Sequence, residues 1–194
     1  MNFDKEYYTS NNYTNYMERQ DRYIRLAKEV CEFMGKMNLM NSPVLDFGCA
    51  VGFLLKGLRN HVDYSYGADI SEWAREEARA RNLDVRETPD WNINHGVVFA
   101  LDVFEHMSEY KLQDFFNKIR TDVIVFRMPI CENSGEDYVL ECSRVDPTHV
   151  IRWTKSEWQE FFKSNGYATI DLNLSTIYNS DGVYTGFALK HDHD

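Results

Sequence analysis

A glycine-containing turn follows the apolar run that ends at Asp46. In VLDFGCAVGF, Gly48 and Gly52 lie between an expected strand and an expected helix. Backbone N–H groups at the start of such a helix can hold the anionic end of a ligand. A phosphate-binding loop needs a lysine directly after its last glycine, and Phe53 occupies that position. The dinucleotide fingerprint needs three glycines, and Ala50 and Phe53 replace two of them. What remains is an acid at a strand end followed by a glycine turn.

A second acid ends the next expected strand. Asp69, in YGADIS, can accept hydrogen bonds from both hydroxyls of a ribose. Taken alone, Asp69 is equally well explained as the residue that leads into a helix capped by Ser71. Its combination with DFGCAVG favours the ribose-binding role.

These motifs resemble those of the class I S-adenosylmethionine-dependent methyltransferases. The first motif of that family reads VLDxGCGxG, and ALDVFEHM matches its strand-end DVxEH pattern. The match covers residues 44–107, and DPTHVIRWTKSEWQEFFKSNGY further on resembles the family segment that precedes the last two strands. Two departures are Ala50, which replaces a family glycine, and KIRTDVIVF, which replaces the usual Pro-Gly-Gly turn before the fifth strand.

The resemblance implies S-adenosylmethionine as the cofactor and assigns residues to it. In the family, the equivalent of Asp46 positions the amino end of the cofactor, and the turn lets the backbone approach its methionine portion. Asp90, after the third strand, is the candidate for an acid near the adenine, although an Asp after a Pro is also a common turn residue. The predicted cofactor contacts are Asp46, Gly48, Cys49, Ala50, Gly52, Asp69, Ile70, Asp90, Asp102 and Tyr16.

Two histidines are candidates for catalysis. Methyl transfer from a sulfonium is an in-line displacement, so an enzyme gains most by aligning the nucleophile and by removing its proton. Imidazole is a suitable base at neutral pH. His149, in the polar stretch DPTH, favours a site role, whereas His106 is equally well explained as a buried residue that hydrogen-bonds the next helix start. We therefore expect methyl transfer to a small molecule, at the oxygen of a hydroxylated metabolite or a sugar.

A metal-dependent reaction is an alternative. Asp102, Glu105, His106 and His149 together can complete most of the ligand shell of a divalent metal. This layout is similar to that of the small-RNA 3′-terminal 2′-O-methyltransferases and partly to that of ubiquinone-biosynthesis O-methyltransferases. It implies methylation of RNA ends with a divalent metal. The first interpretation expects no metal.

The chain can also keep the fold without catalysis, as a methyltransferase-like binding protein. Retention of Asp46, Gly48, Gly52 and Asp69 counts against this hypothesis.

The elements that must position these residues follow from the hydrophobic pattern. Short apolar runs alternate with helical-period segments, which is typical of an α/β fold with a parallel sheet. We expect a Rossmann-like, doubly wound, mostly parallel sheet of seven strands with an antiparallel last strand and helices on both faces. The expected strands are 44–47, 64–69, 83–88, 96–102, 122–129, 168–174 and 184–190, and the expected helices are 18–38, 53–60, 72–82, 108–119 and 155–165.

The pattern predicts one domain over residues 1–194. Residues 1–40 form a helical cover, 44–129 the cofactor-binding half, and 130–194 a substrate-side loop with the final strand pair. The early tyrosines Tyr7, Tyr8, Tyr13 and Tyr16 are interpreted either as a lid that excludes water or as ordinary packing.

Composition limits the partners. A formal net charge of -10 repels polyanions, so nucleic acid is unlikely on this ground and a small-molecule acceptor is the default. The four cysteines show no CxxC spacing, which favours free thiols in a cytoplasmic protein over a disulfide framework. No apolar stretch has the length of a membrane span, and no membrane partner is expected. The acceptor, its reacting atom and the oligomeric state are left open.

Overall fold

The computed structural model describes residues 3–10 and 13–191. The helices are α1 (Gln20–Lys36), α2 (Phe53–Leu58), α3 (Glu72–Arg79), α4 (Glu109–Lys118), α5 (Glu141–Arg144) and α6 (Lys155–Ser164). The strands are β1 (Val44–Phe47), β2 (Ser65–Ala68), β3 (Val85–Arg86), β4 (Val97–Leu101), β5 (Val123–Pro129), β6 (Tyr167–Asp171) and β7 (Val183–Lys190). The predicted cover, 1–40, and C-terminal section, 130–194, also include residues 1, 2, 11, 12 and 192–194, which lie outside the described part.

The strands form one sheet in the order β3-β2-β1-β4-β5-β7-β6. The first five strands along the chain pair in parallel, and β7 runs antiparallel to both β5 and β6. Parallel neighbours need a crossover connection, which the intervening helices provide. The predicted Rossmann-like sheet with an antiparallel last strand is confirmed. The carboxyl ends of β1, β2 and β4 therefore meet at one edge.

The core lies on both faces of the sheet. Along β4, Val97 and Phe99 pack on the side of α1 and α2, whereas Val98 and Ala100 pack on the side of α4 and α6. This alternation follows from the two-residue period of a strand. Helices on both faces confirm the doubly wound arrangement.

Side-chain caps fix three helix starts. The hydroxyl of Ser71 accepts the Ala74 N–H at 3.1 Å, and that of Ser108 accepts the Lys111 N–H at 3.4 Å. Thr154 and Glu157 form a reciprocal capping box at the start of α6. The cap expected at Ser71 is thus present, and each of the three caps contributes about 1 kcal/mol to helix stability.

Strand ends differ most from the expected bounds in β3 and β6. β3 lies at the edge of the sheet, and it pairs with β2 over only Val85 and Arg86. β6 ends at Asp171, and the chain beyond it folds back toward α1, where the Glu29 carboxylate accepts the N–H groups of Ser175 and Thr176. Within the described ranges, no helix is both long and apolar enough to cross a membrane.

Candidate active site

The glycine turn after β1 is held in left-handed conformations. Gly48, Ala50 and Gly52 have φ angles of 72°, 47° and 81°. The N–H groups of Gly48 and Cys49 both donate to the carbonyl of Ala68, at 2.7 and 3.2 Å, which anchors the turn to β2. A Cβ at Gly48 would lie 2.3 Å from a methyl of Val103, so the turn requires glycine there. Ala50 carries a side chain at a φ that glycine adopts with less strain.

Asp69 ties this turn to the end of β2. Its carboxylate accepts the Ala50 N–H and the Ser71 N–H, each at 2.8 Å. Burial raises the pKa of Asp69, and these two hydrogen bonds oppose that rise. A carboxylate has about four lone-pair sites. Two therefore remain for a ligand such as a ribose.

A cavity of about 220 Å³ opens above the turn. Ala68, Asp69 and Ile70 line it from the end of β2, and Leu101 and Asp102 from the end of β4. The structure thus brings together six predicted cofactor contacts, namely Tyr16, Gly48, Ala50, Asp69, Ile70 and Asp102. We refer to it as the first cavity.

Four predicted contacts do not line this cavity. Asp46 is 4% exposed and accepts the N–H of Leu55, which links β1 to α2. Burial first, and the charge of Asp69 second, raise the pKa of Asp46 to about 7. Cys49 packs into a small apolar cluster with Leu55 and Leu83.

Gly52 and Asp90 also lie away from it. Gly52 is the N-cap residue of α2, and a Cβ there would lie 2.4 Å from the side chain of Leu83. Asp90 donates its N–H to the hydroxyl of Tyr66 at 3.0 Å and lies 3.8 Å from the Arg86 guanidinium. Glu87, just after β3, lines the cavity instead, and the sequence interpretation missed it. A carboxylate directly after the end of the third strand was the available signal.

The N-terminal tyrosines form the roof of the first cavity. Tyr8 stacks on Trp73 with 5.4 Å between ring centroids, and Tyr16 packs on Phe53 at 5.5 Å. The Tyr7 hydroxyl donates to the Asp146 carboxylate at 3.2 Å. The N-terminal segment is thereby held between α3 and the loop before α6.

A second cavity of about 310 Å³ adjoins the first. Tyr13, Tyr23, Leu101 and Asp102 line both cavities. The other polar residues of the second cavity include Arg19, Arg22, Arg127, Glu105, Asp146 and His149. This is where a second ligand can approach one that is bound in the first cavity.

Asp102 stands between the cavities. It has a left-handed φ of 57°, and its N–H donates to the carbonyl of Arg127 at 2.7 Å. Its carboxylate forms an ion pair with the Arg127 guanidinium. The charge of Asp102 is the main cause that raises the pKa of Arg127. Sequence alone missed Arg127, because the pairing of β4 with β5 brings it beside Asp102.

His106 and His149 lie together, with 4.6 Å between their ring centroids. His149 Nδ1 donates to the carbonyl of Ser143 at 3.0 Å, since a carbonyl can only accept. His106 Nδ1 lies 2.7 Å from the Thr148 hydroxyl, which donates its one hydrogen to Asp146. His106 Nδ1 is therefore also a donor, and both rings keep a lone pair on Nε2.

The surroundings disfavour the charged form of both imidazoles. Burial, followed by the neighbouring His149, lowers the pKa of His106 to about 4. Burial also lowers the pKa of His149, and Asp146 opposes this change. His106 lines the first cavity and His149 the second.

Glu105 completes a cluster with the two histidines. One ligand atom from each of Glu105, His106 and His149 lies within 4.8 Å of the others. Glu105 is 1% exposed, and its Oε2 has no hydrogen-bond partner among the described residues. Three of the four candidate metal ligands thus lie close together. The fourth, Asp102, instead forms an ion pair with Arg127.

A glycine turn after β1, an acid at the end of β2 and two adjoining cavities at the carboxyl edge define an α/β domain with neighbouring cofactor and acceptor sites. A family model described as a methyltransferase domain matches residues 16–172. The chain belongs to the class I S-adenosylmethionine-dependent methyltransferases, as the sequence motifs predicted. A comparison with curated proteins finds no significant match.

Solved structures show the same fold. A S-adenosylmethionine-dependent methyltransferase from Clostridium acetobutylicum matches with a TM-score of 0.65 and 13% identity, over 94% of this chain and 100% of that one. A 1,6-didemethyltoxoflavin-N1-methyltransferase from Burkholderia thailandensis, with S-adenosylhomocysteine bound, matches with a TM-score of 0.62 and 11% identity, over 88% and 79%. Magnesium protoporphyrin IX methyltransferase from Synechocystis PCC 6803, also with S-adenosylhomocysteine bound, matches with a TM-score of 0.61 and 16% identity, over 94% of this chain and 91% of that one.

Proposed function

We propose that the protein transfers a methyl group from S-adenosylmethionine to an oxygen of a hydroxylated small molecule, with His149 as the general base. The observation that carries the proposal is the position of His149. This residue lines the second cavity, which adjoins the first, and its Nδ1 donates to the carbonyl of Ser143, which leaves Nε2 as the basic nitrogen.

The first cavity suits the cofactor. Gly48 brings the backbone of the turn to the cavity wall, and Asp69 retains lone pairs for ribose hydroxyls. The cofactor supplies an activated methyl group on a sulfonium. The residues of the chain then hold the acceptor in line and exclude water.

The groups around His149 suit a base. Asp146 Oδ2 lies 3.8 Å from His149 Nε2, where a carboxylate stabilises the imidazolium that forms on proton uptake. Asp146 is itself oriented by Thr148 and Tyr7, and Thr148 also contacts His106. His106 is proposed to share the catalytic site by orienting Asp146 through the Thr148 hydroxyl.

The size of the acceptor is inferred from the second cavity. A volume of about 310 Å³ fits a small molecule and not a folded polymer. The toxoflavin and porphyrin substrates named for two structural neighbours support this size class. The net charge of -10 counts against RNA.

Cofactor binding is the first experiment. Isothermal titration with S-adenosylhomocysteine is expected to show binding that Asp69→Asn weakens by about tenfold, the cost of a lost charge-assisted hydrogen bond. Exposed Asp63 offers the matched control, Asp63→Asn. Absence of binding to the unaltered protein would contradict the enzyme and leave a methyltransferase-like binding protein.

Turnover is the second experiment. Methyl transfer from labelled cofactor to a panel of hydroxylated compounds should fall at least about 100-fold in His149→Ala, the usual size of a general-base contribution. The affinity for S-adenosylhomocysteine should change little, because His149 does not line the first cavity. The exposed residue His61 provides the control His61→Ala. Unchanged turnover in His149→Ala would remove the base assignment.

The cluster of Glu105, His106 and His149 favours a second candidate, divalent-metal-dependent methyl transfer. One nitrogen from each imidazole and a carboxylate oxygen of buried Glu105 lie within 4.8 Å of one another there, which is a donor set that suits a metal. When bound, a metal supplies a Lewis acid that favours the deprotonated acceptor hydroxyl.

Metal titration separates the two candidates. If the cluster binds a metal, isothermal titration with Mn²⁺ alone should show one site that is lost in Glu105→Gln and kept in Glu132→Gln, an exposed control. Full turnover in the presence of a strong chelator, together with no Mn²⁺ binding, would remove this candidate.

A further inference from the structure

We infer that the methyl acceptor carries an anionic group, a carboxylate or a phosphate, which Arg19 and Arg22 hold at one side of the second cavity. This inference rests on the proposed function, because it assigns the acceptor to that cavity. It adds the charge class of the substrate, which the motifs do not specify.

The two arginines share one face at the beginning of α1. Arg19 ends the 3-10 turn Tyr16–Arg19, and Arg22 follows in the first turn of the helix. Residues three apart are neighbours on a helix surface. Both line the second cavity, and the Arg19 guanidinium lies 6.0 Å from the centroid of the Tyr16 ring. Two guanidinium groups on one wall form a suitable site for a planar carboxylate or a phosphate.

The acidic residues of the cavity are engaged elsewhere. Asp102 is paired with Arg127, and Asp146 accepts hydrogen bonds from Thr148 and from Tyr7. Glu105 is 1% exposed and belongs to the histidine cluster.

Arg22 forms no ion pair within residues 3–10 and 13–191. The acidic neighbours Glu18 and Asp21 are exposed and do not line the cavity. An incoming anion is therefore the partner that the position of Arg22 suits.

The cavity then has two chemically different sides. The arginines come from the start of α1, whereas His149 comes from the loop before α6. An acceptor that binds its anionic group at Arg19 and Arg22 can present a hydroxyl to His149. The anionic group thereby fixes which hydroxyl reacts.

The charge of the whole chain restricts the anion to a small one. A net charge of -10 disfavours a polyanion over the large surface that it would contact. A single carboxylate or phosphate inside the cavity depends mainly on the nearby arginines, because charges beyond about 8 Å are screened at physiological salt. The same arginines thus favour a small anionic metabolite over an RNA end.

Paired probes test this inference in protein that is saturated with S-adenosylhomocysteine. One pair is 3-hydroxybenzoate and 3-hydroxybenzamide, and the other is glycerol 3-phosphate and glycerol, so that each anion has a neutral counterpart. We expect the anionic member of at least one pair to bind about tenfold more tightly than its counterpart in isothermal titration. The pair that shows the difference identifies carboxylate or phosphate as the group.

Variants locate the effect. Arg22→Gln should weaken binding of the preferred anion by about fivefold, as for an exposed charged pair, and leave its neutral counterpart unchanged. Arg25→Gln removes the same charge from an exposed position of α1 that lines neither cavity, and it should change binding less than twofold. Because Arg22 is exposed, both variants should keep the wild-type urea midpoint.

Two results would overturn the inference. One is equal binding of charged and neutral members in both pairs, including no binding by any of them. The other is an equal effect of Arg22→Gln and Arg25→Gln. Either result, obtained while S-adenosylhomocysteine still binds and neutral hydroxylated compounds are methylated, contradicts only the anionic acceptor. Failure of S-adenosylhomocysteine to bind contradicts the proposed function itself.

Discussion

Asp46→Asn should change how the stability of the protein depends on pH. The Asp46 carboxyl is 4% exposed, and burial together with the charge of Asp69 raises its pKa from 3.8 to about 7. A raised carboxyl pKa means that the folded protein holds a proton that the unfolded chain releases at lower pH. The stabilisation of the folded state that this bound proton provides is fully present below pH 3.8, and it is lost as the pH rises through about 7.

The magnitude follows from the shift. Each pKa unit corresponds to about 1.4 kcal/mol, so the complete loss is about 4 kcal/mol. Between about pH 4.5 and about pH 8, the free energy of unfolding of the wild type should fall by about 3 kcal/mol relative to that of Asp46→Asn. The amide is nearly isosteric with the carboxyl and keeps an oxygen that can accept the Leu55 N–H.

Urea unfolding at several pH values measures the difference, provided that both proteins show the same m-value. Asp63→Asn, at an exposed position, should follow the wild type at every pH. If the difference between wild type and Asp46→Asn is independent of pH, the buried and protonated state of Asp46 is refuted. Asp46→Asn should also bind S-adenosylhomocysteine almost normally, because Asp46 does not line the first cavity. A loss of binding would instead support the contact between Asp46 and the cofactor that the family resemblance implies.

Three further substitutions have defined outcomes. Ala50→Gly should raise the free energy of unfolding by up to about 1 kcal/mol, because it relieves a left-handed alanine at φ 47°, and a lower urea midpoint would contradict this reasoning. Gly48→Ala should weaken S-adenosylhomocysteine binding in isothermal titration by about tenfold or more, because its Cβ would lie 2.3 Å from Val103, and addition of Val103→Ala should restore part of the loss. Thr154→Ala should lower the free energy of unfolding by about 1 kcal/mol through loss of the capping box, whereas Ser156→Ala, at an exposed site in α6, should have little effect in the same urea titration.

The sheet could be predicted from the sequence because each signal was local. Apolar runs of strand length, helix caps such as Ser71 and Thr154, and the glycine turn all act within a few residues. Their order along the chain fixed the sequence of strands and helices, and the family resemblance supplied the topology. The short elements, among them the 3-10 turn Phe104–His106, have too few residues for a period to be visible.

The site was predictable only in part, because its remaining features depend on distant pairs. Arg127 reaches Asp102 through the register of β4 and β5, which no local pattern specifies. Asp46 has the residue type of a ligand-binding acid, yet its side chain points to Leu55, and a motif gives no side-chain direction. His106 and His149 were both identified, but their contact required the loop after α5 to fold against the end of β4.

The wall that the two cavities share has a thermodynamic consequence. Tyr13, Tyr23, Leu101 and Asp102 line both cavities. A ligand that orders these side chains from one cavity therefore lowers the entropy cost of binding a ligand in the other cavity. Linkage makes such an effect reciprocal. The factor by which bound S-adenosylhomocysteine changes the affinity for the acceptor must equal the factor by which the acceptor changes the affinity for S-adenosylhomocysteine. A substitution among these four side chains should therefore change product inhibition and acceptor affinity together.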